Sequence, residues 1–100
     1  MPITSQWWTF SDGMISSDRE EAGVYELGND SGTVVYIGSS NALRRRLKEH
    51  LDESGTTCIK KNTKKYRLEY VSKYKERERE LYDEHVRING KPPICNDMRP

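Results

Sequence analysis

Two short runs of β-branched and aromatic residues, Val24-Tyr25-Glu26-Leu27 and Thr33-Val34-Val35-Tyr36-Ile37, flank the segment Gly28-Asn29-Asp30-Ser31-Gly32. The runs have strand composition and the segment between them is turn chemistry, so together they predict a β-hairpin. With the turn centred on Asp30 and Ser31, Tyr25 lies directly opposite Tyr36, and both rings project from one face of the sheet. A shift of one residue would separate them.

The chain beyond the hairpin changes period. Ser39, Ser40 and Asn41 offer N-caps for a helix through about Asp52, closed by Ser54-Gly55. Leu43, Leu47, His50 and Leu51 fall on one helical stripe. Arg46 lies one turn before His50 at the edge of that stripe, Arg44 is also at a boundary, and Arg45 points to solvent. A basic connector with Lys60, Lys61, Lys64 and Lys65 leads into Tyr66-Arg67-Leu68-Glu69-Tyr70-Val71, which alternates like a half-buried strand. A second helix is expected from about Lys73 to Ile88, stopped by Asn89-Gly90 and Pro92-Pro93. Its apolar stripe is Tyr74, Leu81, His85 and Ile88.

The order β-β-α-β-α describes an α+β fold: a small three-stranded, mainly antiparallel sheet flanked by helices. Residues 22–100 form its single domain, and residues 1–21 form an N-terminal extension. There, Trp7, Trp8 and Phe10 add an edge strand or cap the core, with stacking on a nucleobase as the other option.

Composition narrows the classes further. Apolar and charged residues each make up 33% of the 100 residues, so the core is small and the surface strongly hydrated. No apolar run approaches the roughly 20 residues of a membrane span, and no apolar segment marks a signal peptide. Cys58 and Cys95 are too few for a disulfide framework and lack CxxC spacing, which favours a reducing, cytoplasmic setting. The net charge of +1 hides a division: residues 1–41 carry −5, residues 42–67 carry +6, and residues 68–100 balance. A basic middle attracts phosphate, although a solvated helix face is the commoner reason for a charge run.

Gly23-Val24-Tyr25, ten intervening residues, and Tyr36-Ile37-Gly38 together resemble the paired signature of the GIY-YIG nucleases. Leu43-Arg44-Arg45-Arg46-Leu47 is similar to the family's basic helix, His50 matches a histidine found one turn later in several members, and Asn96 matches the closing asparagine. The resemblance covers roughly residues 22–97. It implies metal-dependent hydrolysis of phosphodiester bonds in DNA, with Mg²⁺ as cofactor and Mn²⁺ as a substitute. Under it Tyr25 is the general base, Tyr36 positions the water or the phosphate, and Arg46 clamps the phosphate as charge develops. His50 orients the tyrosines or relays a proton, and Asn96 bonds back to the hairpin and fixes the tail. Gly38 leaves room for a phosphate or for the chain reversal.

The metal-holding glutamate has two candidates. Glu78 carries Leu81 and Tyr82 at the family's apolar i+3 and i+4 places, whereas Glu84 stands twelve residues before Asn96 with Pro93 in register. Glu80 ranks behind both. Six residues separate Glu78 from Glu84, and both are expected to point to one side. The chain departs from the family in having Ser39, Ser40 and Asn41 where many members carry a lysine. It also lacks appended targeting elements, so backbone contacts from Arg44, Lys60, Lys61, Lys64 and Lys65 dominate DNA binding. Such a chain cuts with little sequence preference, recognises DNA shape, or relies on a second copy or a partner protein for targeting. The alternatives are a nucleic-acid-binding module of the same fold without turnover, and a purely structural interaction protein.

Overall fold

The hairpin forms, with a register of its own. The computed structural model describes residues 2–97 and 99–100. Its elements are β1 (Trp8–Thr9), α1 (Asp12–Ser16), β2 (Gly23–Gly28), β3 (Val34–Ser40), α2 (Leu43–Leu51), α3 (Cys58–Asn62), β4 (Lys65–Tyr70) and α4 (Tyr74–Asn89). Tyr25 pairs with Gly38, two residues beyond Tyr36, and Leu27 pairs with Tyr36: one residue comes from a turn centred on Ser31, with Gly28 opposite Val34, and one from an irregularity between Leu27 and Gly28. The two tyrosines are therefore diagonal neighbours on one face instead of direct partners. Their ring centroids are 6.1 Å apart.

Among the described residues the sheet has four strands, not three, in the order β1-β4-β2-β3, and every pairing is antiparallel. The added strand is Trp8–Thr9, which pairs with Lys65 and Tyr66 at the edge of the sheet. Next to it, Trp7 lies over Gly28, and the Arg67 guanidinium stacks 4.3 Å above its ring. Phe10 meets Tyr66 edge-on. These aromatics serve packing, and Trp8 is the most open of them at 39% exposure. The polar stretch after Phe10 is a short helix capped by the Ser11 hydroxyl, with Ile15 buried completely.

All six residues of β2 are buried, as a central strand covered on both faces must be. One face packs Tyr25, Leu27, Val35 and Tyr66 against Ile15 of α1 and Leu43 and Leu47 of α2. The other packs Val24 and Ile37 against Ile3 and Leu81 of α4. Helix α4 ends on Gly90 in the left-handed conformation, as the Asn-Gly stop predicts. Its stripe differs from expectation at one end: Ile88 is 67% exposed, and Tyr82 is buried in the core instead.

The outer edge of β3 is closed by the C-terminal tail. Cys95 N–H donates to the Val35 carbonyl at 2.8 Å, and the Asn96 side chain bonds Ile37. Cys95 is joined to Cys58 by a disulfide with Cα atoms 5.5 Å apart. Count and spacing argued against a pairing, but the tail returns across α3 and brings distant positions together. The inference of a reducing setting from those two cysteines loses its premise. Among the described residues no helix is long and apolar enough to cross a membrane.

Candidate active site

Helix α2 aims its side chains as its periodicity predicts. Leu43, Leu47 and His50 are fully buried, the Arg44 and Arg46 side chains are each 40% exposed, and Arg45 is 60% exposed. This sorting places His50 under the tyrosine pair. Its Nε2 lies 2.7 Å from the Tyr25 hydroxyl, and its Nδ1 lies 2.5 Å from Oε2 of Glu53. Both tyrosine rings are 5.5 Å from the imidazole centroid. Glu53 was not singled out from the sequence. The available signal was its i,i+3 place from a stripe histidine at the end of the helix.

The ring of Tyr25 lies flat over Gly38. A Cβ at residue 38 would stand 2.4 Å from the Tyr25 hydroxyl oxygen. Gly38 is itself buried, and the close approach of the Tyr25 ring is the reason for a glycine there. Gly23 has a similar cause, because a Cβ there would meet the Glu69 carbonyl at 2.2 Å across β2 and β4.

Burial dominates the electrostatics of the pair. It pushes the Tyr25 phenol well above its ordinary value, the neighbouring Tyr36 adds to this, and Arg46 pulls the other way. Tyr36 is raised by burial too, again with Arg46 opposing. The positive charge of Arg46 works towards ionising Tyr25, against a larger desolvation cost. His50 is lowered, chiefly by burial, with the Glu53 hydrogen bond working against that and the Arg46 charge adding to it. At neutral pH both Tyr25 and His50 are therefore uncharged. Arg46 also bonds Glu49 at 3.0 Å.

Tyr36, half-buried, lines a cavity of about 470 Å³ together with Glu78, Cys95 and Asn96. Ser39, which stands in the region where related chains carry a lysine, donates its hydroxyl to Oε1 of Glu78 at 2.6 Å. Glu84 lines a different cavity with Glu26, Arg67 and His85. Six residues at about 100° each come round to about 240°, so Glu78 and Glu84 cannot share a face, contrary to expectation. Glu80 is exposed and lies 3.9 Å from Arg77. Asn96 spends both ends of its amide on Ile37: Oδ1 accepts from the Ile37 N–H at 2.9 Å, and Nδ2 donates to its carbonyl at 3.0 Å. It acts as a clamp on β3 from the wall of the cavity.

A divalent cation suits one part of this cavity. Glu78 supplies a carboxylate on the cavity wall, and Mg²⁺ is commonly held by one or two carboxylates with waters and substrate phosphate completing its shell. Among the described residues no group of three or more His, Cys, Asp or Glu side chains could hold a metal. A cage built wholly from protein is not what this site provides.

The basic residues divide. Lys60 donates to the Leu51 carbonyl at 2.5 Å, where it caps α2, and Lys65 donates to the Asp30 carbonyl at 3.0 Å. Arg44 turns to Asp18 and Glu20. Lys61 and Lys64 are exposed. Three of the nine Lys/Arg of the basic middle are met by the acidic N-terminal third, through Glu20 with Arg44, Asp12 with Lys48 and Glu26 with Arg67. The charge division along the chain thus serves the fold in part, and Arg45, Lys61 and Lys64 stay exposed.

The arrangement of a hairpin tyrosine pair, a basic helix and a closing asparagine places the fold among GIY-YIG endonuclease domains. The GIY-YIG N-terminal endonuclease domain of UvrC from Thermotoga maritima, in a tyrosine-to-phenylalanine variant bound to its catalytic divalent cation, superposes with a TM-score of 0.62 at 23% identity. The match covers 86% of this chain and 93% of that one. The same domain bound to magnesium gives a TM-score of 0.56 at 27% identity, covering 84% and 92%. The chain itself belongs to a family described as a domain of unknown function, DUF7508, whose model matches residues 1–87. No curated protein matches it in sequence.

Proposed function

We propose that this protein is a divalent-metal-dependent endonuclease that hydrolyses phosphodiester bonds in DNA. One observation carries the reading: the charge of Arg46 bears on both phenols of the tyrosine pair while the Glu78 carboxylate faces them from α4. Packing alone gives no reason to bring two phenols within electrostatic reach of one guanidinium and one carboxylate.

In this reading Arg46 binds a non-bridging phosphate oxygen and steadies the charge that grows there. Tyr36 orients the attacking water from the cavity wall. Tyr25 takes its proton, with the phenol's own proton passing to His50. Glu78 holds the cation, which when bound neutralises charge on the phosphate and on the leaving 3′ oxygen. Ser39 fixes the rotamer of Glu78, and Asn96 fixes β3 under Tyr36. The exposed basic residues Arg45, Lys61 and Lys64 contact the DNA backbone, which carries no sequence, so a second copy or a targeting protein supplies site choice. A DNA substrate places the protein inside the cell, where Cys58–Cys95 forms or breaks with the redox poise.

The test is incubation of supercoiled plasmid and branched duplexes at low salt with Mg²⁺, with Mn²⁺ and with EDTA. Nicking with either metal and none with EDTA is expected. DNA binding with no cleavage under any divalent ion would leave a binding module. One observation favours that second reading: the Ser39 hydroxyl already occupies one oxygen of Glu78.

A further inference from the structure

The hydrogen-bonded chain behind Tyr25 does not stop at His50. Tyr25 is 1% exposed and His50 is not exposed at all, but the next group, the Glu53 carboxylate, has a side chain 26% exposed. Two short contacts join the three in a line from the site to the surface. A fully buried imidazole with partners on both nitrogens has its tautomer decided by them. Glu53 is an ionised carboxylate: burial pushes it up, and hydrogen bonds from His50 and Thr57 outweigh that and hold it below its ordinary value. A carboxylate only accepts, so Nδ1 must carry the proton. Nε2 is then left as an acceptor for the Tyr25 hydroxyl.

We propose that Glu53 is a positioning residue, which holds His50 with its proton on Nδ1 so that Nε2 can receive the proton of Tyr25. The proposal deepens the nuclease reading and rests on it for its kinetic consequence. As water attacks phosphorus, its proton moves to the Tyr25 oxygen while the phenol proton moves to Nε2. The electron pair of the broken water O–H bond forms the new P–O bond. The 3′ oxygen leaves with the pair of its own P–O bond and takes a proton from solvent. His50, now imidazolium beside the Glu53 carboxylate and shut off from solvent, hands its Nε2 proton back to the Tyr25 oxygen as that phenol releases its own proton to water in the site, which restores the Nδ1–H tautomer and closes the balance. The logic is that of a carboxylate fixing the histidine of a hydrolase triad, with a phenol in place of the serine.

The charged and titratable groups that face His50 are Tyr25 from β2, Tyr36 from β3, Arg46 and Glu49 from α2, and Glu53 after it. Glu53 alone among these bonds Nδ1. Its removal should therefore change the tautomer without removing a substrate contact.

Two readouts on the whole protein test this. The first is ¹⁵N NMR of histidine-labelled protein, which reads the tautomer without any substrate. Wild type should show His50 protonated on Nδ1, and Glu53→Ala should lose that preference. The second is the plasmid assay with Mg²⁺. Glu53→Gln should lower kcat on the order of 10- to 100-fold with KM within about twofold, and Glu53→Asp should recover part of the rate. A His50 protonated on Nε2 in wild type overturns the proposal even if the protein cuts nothing, an outcome that sinks the nuclease reading by itself. A folded Glu53→Gln that cuts with the wild-type kcat and pH profile overturns it while the nuclease stands.

Discussion

The Tyr25 ring fills the space a side chain at Gly38 would take, with the hydroxyl oxygen 2.4 Å from where that Cβ would sit. The glycine of the second signature is thus a seat for the tyrosine of the first. The two halves of the hairpin are chosen together, and the seat aims the Tyr25 hydroxyl at His50.

Gly38→Ala should therefore lift the ring out of its place. The cost should be roughly 1–3 kcal/mol, as for other overpacked cores, or about 4–8 °C in Tm for each kcal/mol lost. Thermal unfolding measures it. An alanine variant with wild-type Tm would mean that the ring is not held there.

Asn96 offers a second check, because its two bonds to Ile37 pair the tail with the free edge of β3. Asn96→Asp keeps the acceptor for the Ile37 N–H but sets a carboxylate oxygen against the Ile37 carbonyl. A loss of about 1–3 kcal/mol is expected, with faster hydrogen exchange at the Ile37 amide than in wild type. Unchanged exchange would show that the clamp is not formed in solution.

The disulfide closes a loop across 37 positions and pins the residue before that asparagine. Its reduction, or Cys95→Ser, should lower stability by about 2–4 kcal/mol. The Ile37 and Cys95 amides should lose protection ahead of the β2–β4 ladder. Identical unfolding curves with and without reductant would contradict the pairing.

How far such features can be read from a sequence depends on their range. The hairpin, α2, β4 and the Gly90 stop follow from neighbours within a few positions, and all are present. The sorting of Arg44, Arg45 and Arg46 needs only the helical angle. The same angle, applied over six residues, separates Glu78 from Glu84. The one-residue irregularity after Leu27 is decided by the demand that both hairpin faces pack, which no local pattern states. β1 exists because β4 offers it an edge, and Cys58 meets Cys95 because the tail folds back past α3. Glu53 was legible in spacing but carries meaning only once His50 is seen to be buried under Tyr25.

Acid should destabilise the fold through His50. Burial holds its folded pKa below the value near 6.5 of an unfolded histidine, so the unfolded chain takes the proton first. Stability from this group is full above about pH 6.5 and is lost as pH falls below that towards the folded value. His85 is shifted the same way by burial and shares the slope. Urea unfolding between about pH 7 and pH 5 should show a shallower loss for His50→Gln than for wild type. Equal slopes would place the protonation elsewhere.

The central claim is that Arg46, the tyrosine pair and Glu78 act as one centre on a phosphodiester. The most direct measurement is the initial rate of plasmid nicking in Mg²⁺ by wild type, Arg46→Ala and Glu78→Gln, with Glu84→Gln as the control from the other cavity. Losses of at least about 100-fold are predicted for the first two variants, with the control near wild type. Nicking by Arg46→Ala at the wild-type rate would contradict the account, as would a loss in Glu84→Gln that Glu78→Gln does not share.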